Sequence, residues 1–267
     1  MSTTGSLGTA LVTGASAGIG ALYADRLARR GHDLVLVARD RARLDRLAQR
    51  LAAETGRRVQ VLAADLADPA GTAAVEQALR QDPSLAMLVN NAGIGATAPL
   101  LAADADQMSR MIALNTNALM RLTHAAVPGF VARGRGTVVN IASAVAVAPE
   151  LLNGVYGGTK AFVLAFSQSL RQELAGTGVR VQVVLPGATA TEFWSAAGTP
   201  LEHLPPGMVM RAEDMVDAAL AGLDAGEFAT VPALPELADW DAFEAARLAL
   251  RPGLSLAVPA ARYGLAG

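Results

Sequence analysis

The sequence predicts an α/β fold, a doubly wound parallel sheet of about seven strands with helices on both faces. Three observations predict it. Short β-rich runs alternate with longer segments of helical spacing across residues 9–185, with no linker between them. The runs lack strict apolar–polar alternation, as expected of strands covered on both faces. A glycine-rich turn joins the first run to the first helical segment.

In order, the expected strands are Thr9–Thr13, Asp33–Ala38, Arg58–Ala63, Ala86–Asn90, Gly136–Ala142 and Val179–Leu185. The helical segments between them are Gly18–Arg30, Arg41–Glu54, Pro69–Gln81, Asp104–Ala132 and Val155–Ala175. The last third changes texture. Gly187–Met210 is rich in Ala, Thr, Gly and Pro, and is too long for an ordinary connection. It follows a strand's carboxyl end, where ligands bind in open α/β sheets, so it reads as a lid. Arg211–Leu223 then reads as a helix, Glu227–Pro232 as a seventh strand and Glu236–Leu250 as another helix. The tail from Pro252 has no assignment. One domain is expected over residues 1–267, with the lid near 187–210 and a C-terminal extension near 233–267.

Composition excludes several classes. Hydrophobic residues are 52% and charged residues 17%, against a disordered chain. Cysteine is absent, which removes disulfides and thiolate chemistry. A net charge of -2 offers nothing to nucleic acid or to an anionic membrane. No basic region precedes the first apolar run, and no uninterrupted apolar stretch is long enough to span a bilayer. A cytoplasmic protein is the expectation. Of 22 basic residues only Lys160 is a lysine. Coding bias accounts for the arginines but not for the position of the exception.

The first turn reads Thr13-Gly14-Ala15-Ser16-Ala17-Gly18-Ile19-Gly20. Glycines there let the backbone approach a pyrophosphate, and the helix N-terminus favours its charge. The bland reading is a tight βα turn. At the end of the second strand an acidic residue would select NAD, and an arginine would accommodate the 2′-phosphate of NADP. The residue there is Arg39, which favours NADP(H) over NAD(H); alternatively it opens a solvated helix with Arg41 and Arg43. Asp65, before Leu66, either accepts from an adenine amino group or caps the helix near Pro69. Asn90-Asn91-Ala92-Gly93 suits a turn against a cofactor, and equally an ordinary turn.

Tyr156 and Lys160 are four residues apart on one helix face. An ammonium there, with a positive nicotinamide, would lower the phenol pKa and make a proton donor–acceptor for alcohol–carbonyl interconversion. Ser143, just past the fifth strand, could hydrogen-bond the carbonyl oxygen.

Taken together, T-G-x-x-x-G-x-G at Thr13–Gly20, N-N-A-G at Asn90–Gly93, Asn115, Ser143, Y-x-x-x-K at Tyr156–Lys160 and Pro186-Gly187 followed by Thr191 resemble the short-chain dehydrogenase/reductase superfamily in its compact single-domain form. The resemblance extends to about residue 232 and implies a Rossmann-type sheet. It implies Tyr156 as acid/base, Lys160 on the nicotinamide ribose, Ser143 polarising the carbonyl and Asn115 anchoring a relay water. It further implies Gly14, Ser16, Ala17, Gly18 and Ile19 along the pyrophosphate, Asp65 and Leu66 at the adenine and Asn91, Ala92 and Gly93 near the ribose. Pro186, Gly187, Thr189 and Thr191 would meet the nicotinamide.

Three features depart from the pattern. Ala17 stands where NADP-dependent members often carry a basic residue. Gly157 and Gly158 stand where larger residues are usual. Pro232–Gly267 replaces the usual glycine-rich ending.

The three histidines have no metal-like spacing, so no metal is expected. Phe193, Trp194, Leu204, Met208 and Met210 read either as an apolar substrate wall or as packing under the lid, and His203 is placed near substrate only by the lid. The reading is an NADP(H)-dependent oxidoreductase acting on a small carbonyl or alcohol, as a homodimer or homotetramer. The alternatives are a dinucleotide sensor without turnover and a related epimerase or dehydratase.

Overall fold

A computed structural model describes residues 6–265; residues 1–5 and 266–267, the ends of the expected 1–267 span, lie outside the described residues. The first part of the chain runs β1 (Thr9–Thr13), α1 (Gly18–Arg29), β2 (Asp33–Ala38), α2 (Arg41–Thr55), β3 (Val59–Ala63), α3 (Pro69–Gln81) and β4 (Leu85–Asn90). It continues through α4 (Ala105–Ile112), α5 (Leu119–Ala132), β5 (Gly136–Ile141), α6 (Gly154–Glu173) and β6 (Val179–Val184). Each of these strands begins and ends within a residue or two of its expected place. The expected helix Asp104–Ala132 is divided, because a π-helical segment, Ala113–Ala118, separates α4 from α5.

The segment expected to form a lid has its own frame. Short strands β7 (Thr189–Ala190) and β8 (Met210–Arg211) pair in parallel and tie its two ends, with α7 (Phe193–Ala197) between them. Then follow α8 (Ala212–Ala225) and β9 (Ala229–Thr230). The seventh strand is therefore only two residues long, shorter than the expected Glu227–Pro232.

Six main strands and β9 form one parallel sheet in the order β3-β2-β1-β4-β5-β6-β9. The chain winds outward from β1 in one direction, then returns to β4 and winds in the other. Alternate residues of each strand face opposite sides. Val12, Leu34, Leu36 and Val89 join a core with α1, α2 and α8. Leu11, Val35, Val37 and Leu88 join a second core with α3, α5 and α6. That burial on both faces is why the strands read as continuous apolar runs.

Beneath the carboxyl ends of the central strands lies a buried polar chain. Asn90 Nδ2 donates to Asn140 Oδ1 at 2.9 Å and to Thr123 Oγ1 at 3.0 Å, and Asn140 Nδ2 donates to Ser167 Oγ at 2.9 Å. It fastens β4 and β5 to α5 and α6, the elements that carry the site. Buried polar groups left without such partners would each cost about 1–3 kcal/mol.

The chain divides into two compact units, one ending at Pro232 and one beginning at Ala233. The second contains α9 (Leu237–Ala249) and short turns at Arg251–Gly253 and Ala261–Tyr263. Within it the Trp240 and Phe243 rings lie 5.3 Å apart. Among the described residues no helix is long and apolar enough to cross a membrane.

Candidate active site

The strand order reverses between β1 and β4, and the crevice outside their carboxyl ends is where this architecture binds ligands. Gly14 leaves β1 with φ of 66°, a conformation costly for a residue with a Cβ. Gly20, in the first turn of α1, packs so closely that a Cβ there would strike Gly14 O and Asn91 Nδ2. Asn91 holds this turn: its Nδ2 donates to Thr13 O at 2.9 Å. Thr13 Oγ1 in turn accepts from the backbone N–H of Asn91 and Ala92, at 2.9 and 3.0 Å. The N-terminus of α1 has no side-chain cap and no acidic residue in its first turn. Ser16, Ala17, Gly18 and Ile19 thus border a helix end whose amides are left for an anion. A dinucleotide pyrophosphate fits that cradle.

Arg39 is exposed at the end of β2 and, among the described residues, has no hydrogen-bond or ion-pair partner. It does not open the helix: α2 begins at Arg41, with Asp40 as N-cap accepting from Arg43 N at 2.9 Å. Arg41 is paired with Asp45, and Arg43 with Glu192. Of Arg39, Arg41 and Arg43, Arg39 is thus the one without an ion-pair partner among the described residues. Asp65 does not cap α3, whose N-cap is Asp68. Its Oδ1 accepts from Ala67 N at 3.0 Å and its Oδ2 pairs with Arg110. Burial pushes the carboxyl up, but those two hydrogen bonds and the charges of Arg110 and Arg39 outweigh it and hold the group below its usual range. Leu66 is buried beside it.

Across the crevice, Ser143 follows β5 and Tyr156 lies in the first turn of α6. Asn153 starts that helix, its Oδ1 accepting from Val155 N at 2.9 Å and Tyr156 N at 3.3 Å. The phenol is buried, which pushes its pKa up to about 12, and a hydrogen bond with the Ser143 side chain opposes the rise. Lys160 Nζ lies 5.9 Å from the Tyr156 ring centroid and donates to Ile141 O at 2.9 Å. Burial pushes this amine down to about 8. The expected lowering of the phenol by the ammonium is thus not found in the protein alone, because desolvation dominates both groups.

Asn115 lies in the π-helical segment. Its Oδ1 accepts from Ile94 N at 3.0 Å, and its Nδ2 donates to Ile94 O at 2.9 Å and Thr159 Oγ1 at 3.1 Å. Its side chain therefore knits the loop after Gly93 to α6. A Cβ on Gly93 would stand 3.6 Å from Lys160 Nζ, so that loop passes directly over the amine. Pro186 O accepts from Ala144 N at 2.8 Å, which brings the β6 exit beside Ser143. Gly187 and Thr189 continue from it, and Thr189 Oγ1 donates to Gly187 O at 3.1 Å. Thr191 reaches the other wall, where a Cβ on Gly18 would meet its Cγ2 at 3.2 Å.

The residues expected as an apolar wall in 187–210 take different places. Phe193 lies 5.7 Å from the Tyr156 ring, and Trp194 is buried with Nε1 donating to Thr189 O at 3.0 Å. Met210 packs on the main core, Met208 is exposed, and His203 stands exposed in a short turn. Sequence reasoning named Thr13 as the start of the motif without giving it a role, and overlooked Thr159 and Asn153. Of the last two only Asn153 carried a signal, an N-cap residue just before a helix. Among the described residues no group of three potential metal ligands occurs. An open depression lined by Arg171, Arg180 and Phe228 lies at the opposite end of β6, away from this chemistry.

A family model described as short chain dehydrogenase matches residues 8–201. A solved short-chain dehydrogenase from Sphingobium yanoikuyae, in complex with NADPH, is 51% identical. The match covers 96% of this chain and 100% of that one, with a TM-score of 0.93. The bulky-bulky ketone specific alcohol dehydrogenase from Comamonas testosteroni is 45% identical, covering 96% and 98%, with a TM-score of 0.88. An NADP-dependent 3-hydroxy acid dehydrogenase of Salmonella typhi is 39% identical over 191 residues, 69% of this chain and 74% of that protein.

Proposed function

The chain belongs to the short-chain dehydrogenase family, and from that premise we propose an NADP(H)-dependent oxidoreductase for carbonyls and secondary alcohols with Tyr156 as acid/base. The observation that carries the reading is the meeting of Ser143, Tyr156 and Lys160 at the carboxyl edge of the sheet, beside an uncapped glycine-turn helix. When bound, the dinucleotide supplies the hydride and, in its oxidised form, a positive charge.

The chain's own residues do the rest. Gly14, Ser16, Ala17, Gly18 and Ile19 hold the phosphates, and Arg39 takes the 2′-phosphate. Asp65 and Leu66 receive the adenine. Asn91, Ala92 and Gly93 line the ribose, and Pro186, Gly187, Thr189 and Thr191 the nicotinamide. Ser143 donates to the substrate oxygen, where negative charge develops. A phenol near 12 is protonated at neutral pH, so Tyr156 is set to give a proton in reduction. Lys160 borders the nicotinamide ribose. Asn115 acts as a positioning residue, holding the Gly93 loop and α6 around Lys160; a relay water would have to use its main-chain carbonyl. A dinucleotide sensor would need no such acid.

Half-exposed Met120 and Val131 on α5 and Phe162 on α6 support pairing of subunits through these helices, as a homodimer or homotetramer, which sedimentation tests. For the chemistry, Tyr156→Phe is expected to cut kcat by roughly 100-fold or more while NADPH binding is kept. Undiminished turnover in that variant would falsify the assignment.

A further inference from the structure

The three segments that wall Tyr156 contribute no cation of their own. Three segments meet there: residues 94–103 after β4, residues 143–155 after β5, and the lid, residues 187–210. Hydrogen bonds join them, from Asn153 Nδ2 to Ala98 O at 2.6 Å and from Thr97 N to Ala197 O at 3.1 Å. Ala96, Met111, Val145 and Tyr156 form one buried cluster, with Leu152 and Phe193 packed against it. Phe193 owes its seat to Gly95, where a Cβ would run into its ring.

Across all three segments there is no lysine or arginine; the ionisable side chains are Glu150, Glu192, Glu202 and His203. Glu192 is tied to Arg43, and the other three stand exposed. Lys160 is buried, and its ammonium donates to Ile141 O. The apolar character continues outward to solvent: Leu100 is 68% exposed, Leu151 61% and Met208 63%.

An anion entering such walls would lose its hydration and find no guanidinium or ammonium on them in exchange, while the exposed Glu150 and Glu202 repel it. An apolar substituent gains about 25 cal/mol for each Å² removed from water. We infer that the substrate is an uncharged ketone with apolar substituents, or the matching alcohol, and not a carboxylate or other anion. This rests on the reading of Tyr156 as the acid/base.

The test uses one carbonyl in two charge states, methyl 4-acetylbenzoate and 4-acetylbenzoate, each reduced with NADPH by the full chain. The ester is expected to show a kcat/KM at least about tenfold higher, mainly through KM. Equal or better turnover of the acid overturns the inference and leaves the parent reading standing. Absence of NADPH oxidation with both ketones and with a panel of neutral and acidic carbonyls overturns the parent reading too. A second arm places a cation on the rim with Leu151→Arg, an exposed site outside the catalytic machinery. The ester-to-acid ratio should narrow severalfold in that variant; an unchanged ratio overturns the assignment of these walls as the selecting element.

Discussion

Lys160 is buried with no carboxylate paired to it among the described residues, and the Ile141 carbonyl accepts from its ammonium at 2.9 Å. An arginine's wider planar fork cannot take one carbonyl in that space. Lys160→Arg is therefore expected to lose at least about 100-fold in kcat/KM, read by NADPH oxidation; full activity would return the position to chance. The same burial makes a pH prediction. The folded-state pKa is about 8 against an ordinary 10.5, so between those values the unfolded chain binds more protons and stability rises with pH. Below pH 8 that contribution is gone, because both states are protonated and the fold carries a buried charge. Tyr156 and Tyr23, both raised by burial, act oppositely above about pH 10. Without nucleotide, urea unfolding should show a gain on the order of 2 kcal/mol from pH 8 to 10, absent in Lys160→Met. The Tyr–Lys spacing and Ser143 were legible in the sequence because they sit at fixed offsets from a strand end and along a helix. The phenol's upward shift was not, because a spacing says nothing about desolvation.

Helix α6 carries two glycines directly after Tyr156, and they differ in kind. Gly157 is buried, and a Cβ there would lie 2.9 Å from Pro149 Cβ and 3.1 Å from Pro149 Cα. Gly158 is exposed, and a Cβ there meets nothing within 4 Å. Gly158→Ala should thus stabilise the fold by about 0.5–1 kcal/mol through helix propensity alone. Gly157→Ala should destabilise it by about 1–3 kcal/mol. It should also lower kcat/KM, since the turn it displaces, Pro149–Leu151, leads into the helix that carries Tyr156. Thermal unfolding of both variants separates the cases, and opposite signs are the expected outcome. The six main strands were legible as apolar runs of five or six residues, and their helices by apolar periodicity over several turns. The β7–β8 pair, two residues per strand, and the π-helical segment have too few residues to show a period. The division of the lid between Phe193 at the tyrosine and Met210 in the core depends on where its ends are tied, which local sequence does not express.

At the scale of the molecule, two cores on opposite faces hold the sheet, and the reversal of its strand order between β1 and β4 places the glycine turn, Ser143, Tyr156 and Lys160 around one crevice. Every strand of the seven-stranded sheet, both faces of helices and every site residue lie before Ala233. β9 closes the sheet at Ala229–Thr230, where Thr230 Oγ1 accepts from the buried Gln182 Nε2 at 2.9 Å. Gln182 Nε2 also donates to Ala219 O in α8 at 2.8 Å, so the last strand and last helix of this unit are fastened from within it. A chain ending at Pro232 should accordingly unfold in one cooperative transition and bind NADPH within about threefold of the full chain, a difference well below 1 kcal/mol. Calorimetry and nucleotide titration check both. A truncated chain that fails to fold would show that residues 233–267 are part of the domain's stability. Removing β9 as well, by ending the chain before Glu227, should expose the Gln182 amide and abolish the transition, which makes the boundary itself the measured quantity.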